Sequence, residues 1–526
     1  MNNSKIAVID FETDPFLYGR IPKPFSADFY DGENHKIFWG NNCAQELIDY
    51  LLYDVKEPYL IYAHNGGKFD FHFILHALQN PIRIINARLV SATLGMHEFR
   101  DSYAAIPIPL SAYKKDDIDY DKFEVENRDR YKNEIIAYLK TDCEYLYQLA
   151  SKFCERFDRA LTVGSAAIKQ VRKIYEFETV NKSHDAKFRE YYFGGRVQCF
   201  ETGIIKRNVK IYDVNSMYPH VMKNFIHPTG KKNITVFNCS MDRHGRIKGI
   251  ADAPFYFARI KAKINKGGLP IRLKTGLDFT ISSGEFFTTS HEIKVLLKYG
   301  AIEVEKVIEA RATIENISFG EYVDKFAAEK VAAKVSGDKI SEIFAKFMLN
   351  SAYGKFAQNP ESYKDWELGT ESPGDDWQLE REAGEYCFFS KPTTRHSYYD
   401  VAIGASITSA ARAVLLEALF NASNPIYCDT DSIICESLNG VELHETNLGA
   451  WKFEGSGDTV AIAGKKMYGV FDGKQCVKYA SKGAHLKPSD IYKLASGEKI
   501  TWQSEAPTFS LLKEASFIQR NMSATW

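Results

Sequence analysis

The sequence predicts a multidomain protein of mixed α/β and α+β class. Three observations carry that prediction. A chain of 526 residues exceeds what one hydrophobic core ordinarily organises, so two or more domains are expected. Its first third alternates buried-strand patterns with helical ones, as an α/β layer does. The rest groups short strands and then helices, which reads as α+β.

The elements follow in order. "KIAVIDFET" reads as a buried strand ending in acids, and "YLIYAHNGGKFDFHFILHAL" as strand, glycine turn and helix. "RYKNEIIAYLKTDCEYLYQLASKFCERF" is a long amphipathic helix that closes the α/β domain near residues 155–160. Short strands surround "VKIYDVNSMYPHVM", and a Pro- and Gly-punctuated β-rich stretch occupies roughly 225–315. Helices are expected at about 316–336, 339–356 and 403–421, with a polar, acidic, turn-rich segment before the last. From Gly464 to Lys493 seven lysines stand against two aspartates.

Composition narrows the function classes. The formal net charge of −1 argues against coating nucleic acid by bulk charge but leaves room for a local basic channel. Nine cysteines without a CxxC pair disfavour a structural zinc site or a disulfide framework and fit a reducing compartment. No apolar run reaches the ~18 residues of a membrane span, and the strand at the N-terminus leaves no room for a signal peptide. A cytoplasmic protein is expected.

The stretch "PIYCDTDSIICES" places Asp429 and Asp431 two residues apart between apolar runs. On an extended backbone they lean to the same side about 7 Å apart, at ~3.4 Å per residue. Such a pair needs a counter-charge, a cation or water. Asp213, in "KIYDVNSMYPHVM", ends a β-branched run before a turn. Carboxylates from two such strands can hold two divalent cations about 3.5–4 Å apart with a bridging phosphate, a task suited to Mg²⁺. Either segment alone reads more simply as structure, the first as a polar hairpin tip and Asp213 as a turn former, since turns are rich in Asp. "AKFMLNSAYGKFAQN" adds Lys346, Asn350 and Tyr353 at i, i+4 and i+7, on one helix face. Lys330 and Lys334 extend the cationic surface on the preceding helix, which otherwise reads as a solvated stripe.

The N-terminal domain carries a second acidic set. Asp10 and Glu12 flank Phe11 and face one side of the strand end, and Asp70 follows the turn "NGGKFD". Tyr138 and Asp142 share a helix face at i, i+4. Four acids and a phenol can build another two-metal site, with water as nucleophile and Tyr138 orienting it. Each pair also has a plain structural reading, such as a helix salt bridge for Asp142.

In the order found here, "DVNSMYP", "KFMLNSAYG" and "YCDTDS" closely resemble motifs A, B and C of the family B DNA polymerases. The resemblance implies that Asp213 and Asp431 are the principal metal ligands, with Asp429 beside them. It implies that Tyr218 packs under the incoming sugar and excludes a 2′-hydroxyl. Tyr353 and Asn350 would line the nascent base pair, and Lys346 would contact the triphosphate. The N-terminal set resembles the ExoI, ExoII and ExoIII motifs of the family's 3′→5′ proofreading exonuclease. Asn65 and Phe69 would then hold a frayed primer end, Lys115 would stabilise the cleaved phosphate, and Tyr120, Ser102 and Tyr103 would touch single-stranded DNA. "YYFGGR", with Tyr192, Gly194 and Gly195, resembles the YxGG motif, where glycine lets the template backbone approach closely. "KKMYG", with Lys466 and Tyr468, resembles the KxY motif that supports the primer strand.

The small size resembles the protein-primed branch of phage and mobile-element replicases. That resemblance implies an RNase H-like exonuclease domain followed by a right-hand palm, fingers and thumb with two insertions. The expected divisions are exonuclease 1–157, palm 158–224 and 398–488, first terminal-protein insertion 225–315, fingers 316–357, second insertion 358–397 and thumb 489–526. It implies a monomer that acts on primer–template DNA and dNTPs with a terminal protein, away from membranes and in the host cytoplasm if phage-encoded. Two Mg²⁺ per active site are expected, Mn²⁺ being able to substitute. Synthesis from nucleic-acid primers, or without a primer, is the alternative. From Glu361 to Glu385 nine acidic residues stand against two basic ones. Such a loop repels DNA backbone, so its tip is expected to face solvent or a basic terminal protein.

Overall fold

The computed structural model describes residues 4–113, 117–383, 386–393, 399–511 and 513–524. Its N-terminal unit is a seven-stranded mixed sheet. The strand Lys5–Thr13 lies antiparallel to Pro24–Tyr30 on one side and parallel to Tyr59–Ala63 on the other. The order is completed by His35–Trp39 at one edge and by His97–Asp101, Arg88–Leu94 and Gln79–Ile85 toward the other. Strand alternation sorts the first strand's side chains. Ala7, Ile9 and Phe11 join one apolar layer, while Val8 packs on the helix Lys132–Arg156 through Cys143, Leu146 and Ala150. Asp10 and Glu12 have the parity of Val8 and so face that helix, which carries Tyr138 and Asp142.

After Ala63 the helix expected from the sequence is absent. Three short 3₁₀ turns, Gly66–Lys68, Asp70–His72 and Leu75–Ala77, take its place. Asn65 is left-handed at φ 62°, and Phe69 has φ −146° and ψ −84°, outside the helical region. Gly67 lies so close to the neighbouring strand that a Cβ there would meet the Leu89 carbonyl at 2.1 Å. Tight packing overrides the apolar pattern.

A second seven-stranded sheet, antiparallel throughout, occupies the middle of the molecule. Its order is Gln475–Ser481, Met467–Asp472, Trp451–Gly464, Gly203–Val214, Ser432–Cys435, Tyr427–Asp429 and Val197–Cys199. Helix Val401–Asn421 is long and apolar enough to cross a membrane by length and composition alone, although Arg412 and Glu417 interrupt its apolar run. Seventeen of its residues, including Arg412, are buried within the protein. It is a core helix.

Helices Gly320–Ser336 and Lys339–Phe356 form an antiparallel pair turned by left-handed Gly337. The first starts later than expected because residues 316 and 317 finish the strand Ile302–Ile317. That strand belongs to a four-stranded sheet with His227–Cys239, Phe257–Ile264 and Ser283–Thr289. A three-stranded sheet, Lys364–Gly369, Tyr386–Pro392 and Gln378–Ala383, leans on the N-terminal unit. Asn80 bonds both Glu367 and the Leu368 backbone across that junction. Beyond helix Pro488–Ala495 the chain ends in two hairpins. Phe509 from the last part of the chain packs edge-on against Phe69 and Phe73, and Leu511 enters the N-terminal core.

Candidate active sites

The strand Gly203–Val214 delivers Asp213 beside the hairpin of motif C. Asp213 is in register with Ser432, and the Val214 N–H donates to the Asp431 carbonyl at 2.8 Å. The two aspartates are therefore neighbours. Burial, and then the charge of Asp431, pushes the Asp213 carboxyl up to about 7. Asp431 is likewise raised, by burial and then by Asp429.

Asp429 does not share their situation. Its strand ends there, Thr430 turns left-handed at φ 57°, and the Asp431 N–H donates to the Asp429 carbonyl at 2.6 Å. The expectation of two carboxylates leaning the same way from one extended strand is thus corrected: Thr430 and Asp431 form the tip of a tight turn. Lys466 Nζ lies 2.8 Å from Asp429 Oδ1, while the Tyr427 hydroxyl donates to Oδ2 at 3.2 Å. Lys466 itself is left-handed at φ 61°, and its N–H donates to the same Tyr427 hydroxyl. Tyr468 is buried against Tyr427, with ring centroids 4.7 Å apart.

On the helical pair, Lys346 and Asn350 are exposed and Tyr353 is half-buried, one face as the spacing required. Lys330 is half-buried and Lys334 exposed. Tyr353 stacks on Tyr218 with centroids 3.9 Å apart and planes 9° from parallel. This stack joins the helical pair to the helix Met217–Asn224, which starts just beyond Asp213.

Several residues here escaped the sequence reading. Glu454 acts electrostatically on Asp213 and is held by Lys478 at 2.6 Å. The fully buried Arg412 pairs with both oxygens of Glu292 and donates to the carbonyls of Phe193 and Gly194 at 2.7 and 3.0 Å. It thereby fixes the loop of Tyr192, Gly194 and Gly195. Space around Gly194 is open, but a Cβ on Gly195 would meet the Thr430 side chain at 2.8 Å. Gly195 is therefore required by an internal contact with the motif C turn, a reason the sequence did not supply.

The N-terminal acids converge on a separate cavity of about 500 Å³. Asp10, Glu12, Asp142, Tyr138, Tyr120, Tyr103, Asn65 and Phe69 all line it. Tyr120 and Tyr138 approach to 3.5 Å between hydroxyls, and burial raises the Tyr138 phenol. Asp70 is behind the wall, accepting the Phe11 N–H at 3.3 Å, its carboxyl pushed up to about 7 by burial. Ser102 corrects an expectation: it is fully buried, and its hydroxyl bonds His64 and the Ala63 carbonyl. It supports the cavity wall, since strand His97–Asp101 ends directly before it. Arg88 was also missed; it bonds Asn65 at 2.8 Å and Asp101 at 2.5 Å. Lys115 lies outside the described residues.

Among the described residues no three His, Cys, Asp or Glu are already gathered closely enough to hold an ion. The donor chemistry nevertheless fits a hard cation. Asp213 and Asp431 are neighbouring carboxylates raised first by burial and then by nearby negative charge, that of Asp431 on Asp213 and of Asp429 on Asp431, which a divalent ion would offset. Mg²⁺ takes few protein oxygens and fills its shell with water and phosphate, so two carboxylates suffice.

A mixed sheet with an acidic cavity, joined to an antiparallel sheet with paired aspartates beneath a helical pair, defines a polymerase with an attached nuclease-like unit. Residues 2–446 match the DNA polymerases of type B, organellar and viral, and the chain belongs to that family. It is 42% identical to the DNA-directed DNA polymerase of Enterobacteria phage PRD1, over 99% of this chain and 98% of that protein. It is 25% identical to the DNA polymerase of Bacillus phage phi29, over 83% and 81% of the two chains. The phi29 enzyme solved with primer-template DNA and incoming nucleotide superposes with a TM-score of 0.75 at 19% identity, covering 99% of this chain and 100% of that one. The chain is a DNA-directed DNA polymerase, a nucleotidyltransferase, with the exonuclease and palm, fingers and thumb architecture of family B.

Proposed function

We propose that the chain replicates DNA by protein-primed, strand-displacing synthesis with 3′→5′ proofreading. The observation that carries this reading is the pair of separate acidic centres, Asp213 with Asp431 and Asp10 with Glu12 and Asp142, in one phage-type polymerase. Asp213 and Asp431, with Asp429 beside them, would hold Mg²⁺ or Mn²⁺ at one centre; Asp10, Glu12, Asp142 and Asp70 would do so at the other. Bound there, divalent cations neutralise phosphate charge and lower the pKa of the attacking hydroxyl or water.

The protein's own groups do the rest. Lys346, with Lys330 and Lys334, binds the triphosphate, and Asn350 and Tyr353 bound the nascent base pair. Tyr218 fills the space that a 2′-hydroxyl would need. Lys466 and Tyr468 support the primer strand, and Tyr192, Gly194 and Gly195 face the template. In the second cavity Tyr138 orients water, while Asn65, Phe69, Tyr103 and Tyr120 hold the unpaired end; an aromatic stack on a base contributes ~1–3 kcal/mol. Lys115, outside the described residues, keeps its proposed role as the stabiliser of the cleaved phosphate.

A cleft of about 810 Å³ between Ile82–Ile85, the end of helix Lys339–Phe356 and the sheet at Lys364–Trp366 supports strand displacement. Residues 161–165 also line it, and it carries Arg83, Lys355 and Lys364 beside Asp365. A single template strand suits it. The insertions at 225–315 and 358–397 are assigned to the terminal protein, and work in the host cytoplasm is the reading that the likeness to phage polymerases supports.

The test is initiation. The chain is incubated with the protein bound to its genome ends, one labelled dNTP and Mg²⁺. Label joined covalently to that protein supports the proposal. Label found only on RNA or DNA primers, or on unprimed product, supports the alternative start and removes protein priming.

A further inference from the structure

Another ligand-sized cavity, about 330 Å³, lies between strand Val197–Cys199, helix Val401–Asn421 and the loops 264–268 and 279–282. That volume is at the lower end of the ~300–1,000 Å³ usual for small-molecule sites. Its walls are largely apolar, with Phe200, Phe279, Leu416, Leu419 and Phe420 among them. Among its polar lining residues is Arg196, only 2% exposed.

A guanidinium taken out of water calls for a counter-charge. The hydrogen-bond partners of Arg196 are neutral groups, Cys428 among them, and Glu292 acts on it without forming an ion pair. Nε and Nη2 donate to Gln198 Oε1 at 3.0 and 2.5 Å, and Nη2 also donates to the Gly267 carbonyl. The Phe279 ring lies 4.8 Å from its guanidinium carbon. Among the described residues no carboxylate stands within ion-pair distance, and both oxygens of nearby Glu292 are bonded to Arg412. Burial accordingly lowers the Arg196 pKa from its ordinary value. Lys266, exposed and 5.8 Å from the Phe420 ring, adds a second cation to the lining, which contains no acid.

An apolar chamber with an unneutralised buried cation selects a flat apolar body bearing one negative charge. We propose that this cavity binds a small aromatic carboxylate and that its occupancy is felt at the polymerase centre. The link is the Arg196 backbone. The Thr430 N–H donates to the Arg196 carbonyl at 2.7 Å, and Val197 and Gln198 pair with Asp429 and Cys428 in the sheet. A ligand that draws on the Arg196 side chain therefore loads the turn carrying Asp429 and Asp431. No residue lining this chamber lines the N-terminal acidic cavity.

The full chain is titrated with 2-naphthoate and, separately, with its neutral counterpart 2-naphthamide, by calorimetry and ligand-observed NMR. Leu419→Trp, which adds bulk to the chamber while leaving Arg196 in the sequence, is titrated alongside. We expect 1:1 saturable binding of naphthoate with Kd of about 1 mM or tighter, the range for a ligand of this size. The amide should bind at least tenfold more weakly, and Leu419→Trp should bind neither. Naphthoate should alter primer extension while leaving single-strand degradation unchanged. Absence of saturable binding, equal affinity for the amide, retention in a folded Leu419→Trp variant, or equal effects on both activities overturns the proposal. If the tryptophan variant does not fold, the acid–amide comparison decides alone.

Discussion

Lys466 holds Asp429. The ammonium sits 2.8 Å from the carboxylate, across 37 residues of sequence, and the Tyr427 hydroxyl touches both residues. The hairpin's two acids are consequently unequal, because one already has a protein cation and the other faces Asp213.

This inequality predicts a graded response to mutation. Asp431→Asn should lower kcat for nucleotide addition by on the order of 10³-fold, the scale for losing a principal electrostatic stabiliser. Asp429→Asn should cost roughly tenfold less. Lys466→Ala, which leaves Asp429 without its cation, should raise KM for primer–template more than Asp429→Asn does. Steady-state extension of a labelled primer measures all three. Equal losses at Asp429 and Asp431 would show that the ion pair does not distinguish them.

The parallel stack of Tyr218 on Tyr353 predicts a change in sugar selection. If Tyr218 rejects a 2′-hydroxyl by clash, as proposed, Tyr218→Ala removes that clash. The ratio of kcat/KM for dNTP over rNTP should fall by roughly 10–200-fold, the span that one small steric group commands. An unchanged ratio, with both substrates slowed alike, would make Tyr218 a supporting ring only.

The acidic insertion is less bare than its composition suggests. Glu361 pairs with Lys182, Asp376 with Lys391 and Glu380 with Lys364. Glu371 and Asp375 remain exposed near the sheet's tip. Reversing Glu371, Asp375 and Asp376 to lysine should weaken initiation on terminal protein by about tenfold more than extension of a DNA primer, since opposed charges mainly govern association. Labelled-nucleotide transfer to each acceptor provides the comparison. Equal losses, or none, would remove a role in partner recognition.

His227 predicts a pH response of stability. It is fully buried, with Val221 accepting from one ring nitrogen and Ser406 bonded to the other, and burial lowers its pKa from 6.5 to about 4. The unfolded chain takes up this proton near 6.5 and the folded one only near 4. Stability is therefore full above about 6.5 and is lost as pH falls toward 4, by on the order of 3 kcal/mol at 1.36 kcal/mol per unit. His227→Gln should flatten that part of the urea-unfolding profile between pH 7 and 4. A variant with the wild-type slope would assign the loss elsewhere.

Much of the site was legible because it rests on local spacing. Lys346, Asn350 and Tyr353 needed only the helical repeat, and Asp10 and Glu12 needed only strand alternation. Asp213 and Asp431 could be paired through the order of their motifs, though not by geometry alone. What escaped depends on distant partners. Nothing local announces that Lys466 reaches Asp429, that the charge of Glu454 is felt at Asp213, or that Arg412 bonds the loop at Gly194. The failed helix after Ala63 shows the same limit, since its apolar pattern yields to a glycine pressed against Leu89. Ser102 looked like a surface contact and is buried, because its neighbours His64 and Ala63 claim its hydroxyl.

The central claim, two independent acidic centres with opposite chemistry, is tested most directly on one labelled primer–template. Wild type, Asp431→Ala and Asp10→Ala are compared with Mg²⁺, scoring lengthening with dNTPs and shortening without them. The account predicts that Asp431→Ala stops lengthening and keeps shortening, whereas Asp10→Ala does the reverse. Normal lengthening by Asp431→Ala, or loss of both reactions in either variant while it remains folded, would contradict it.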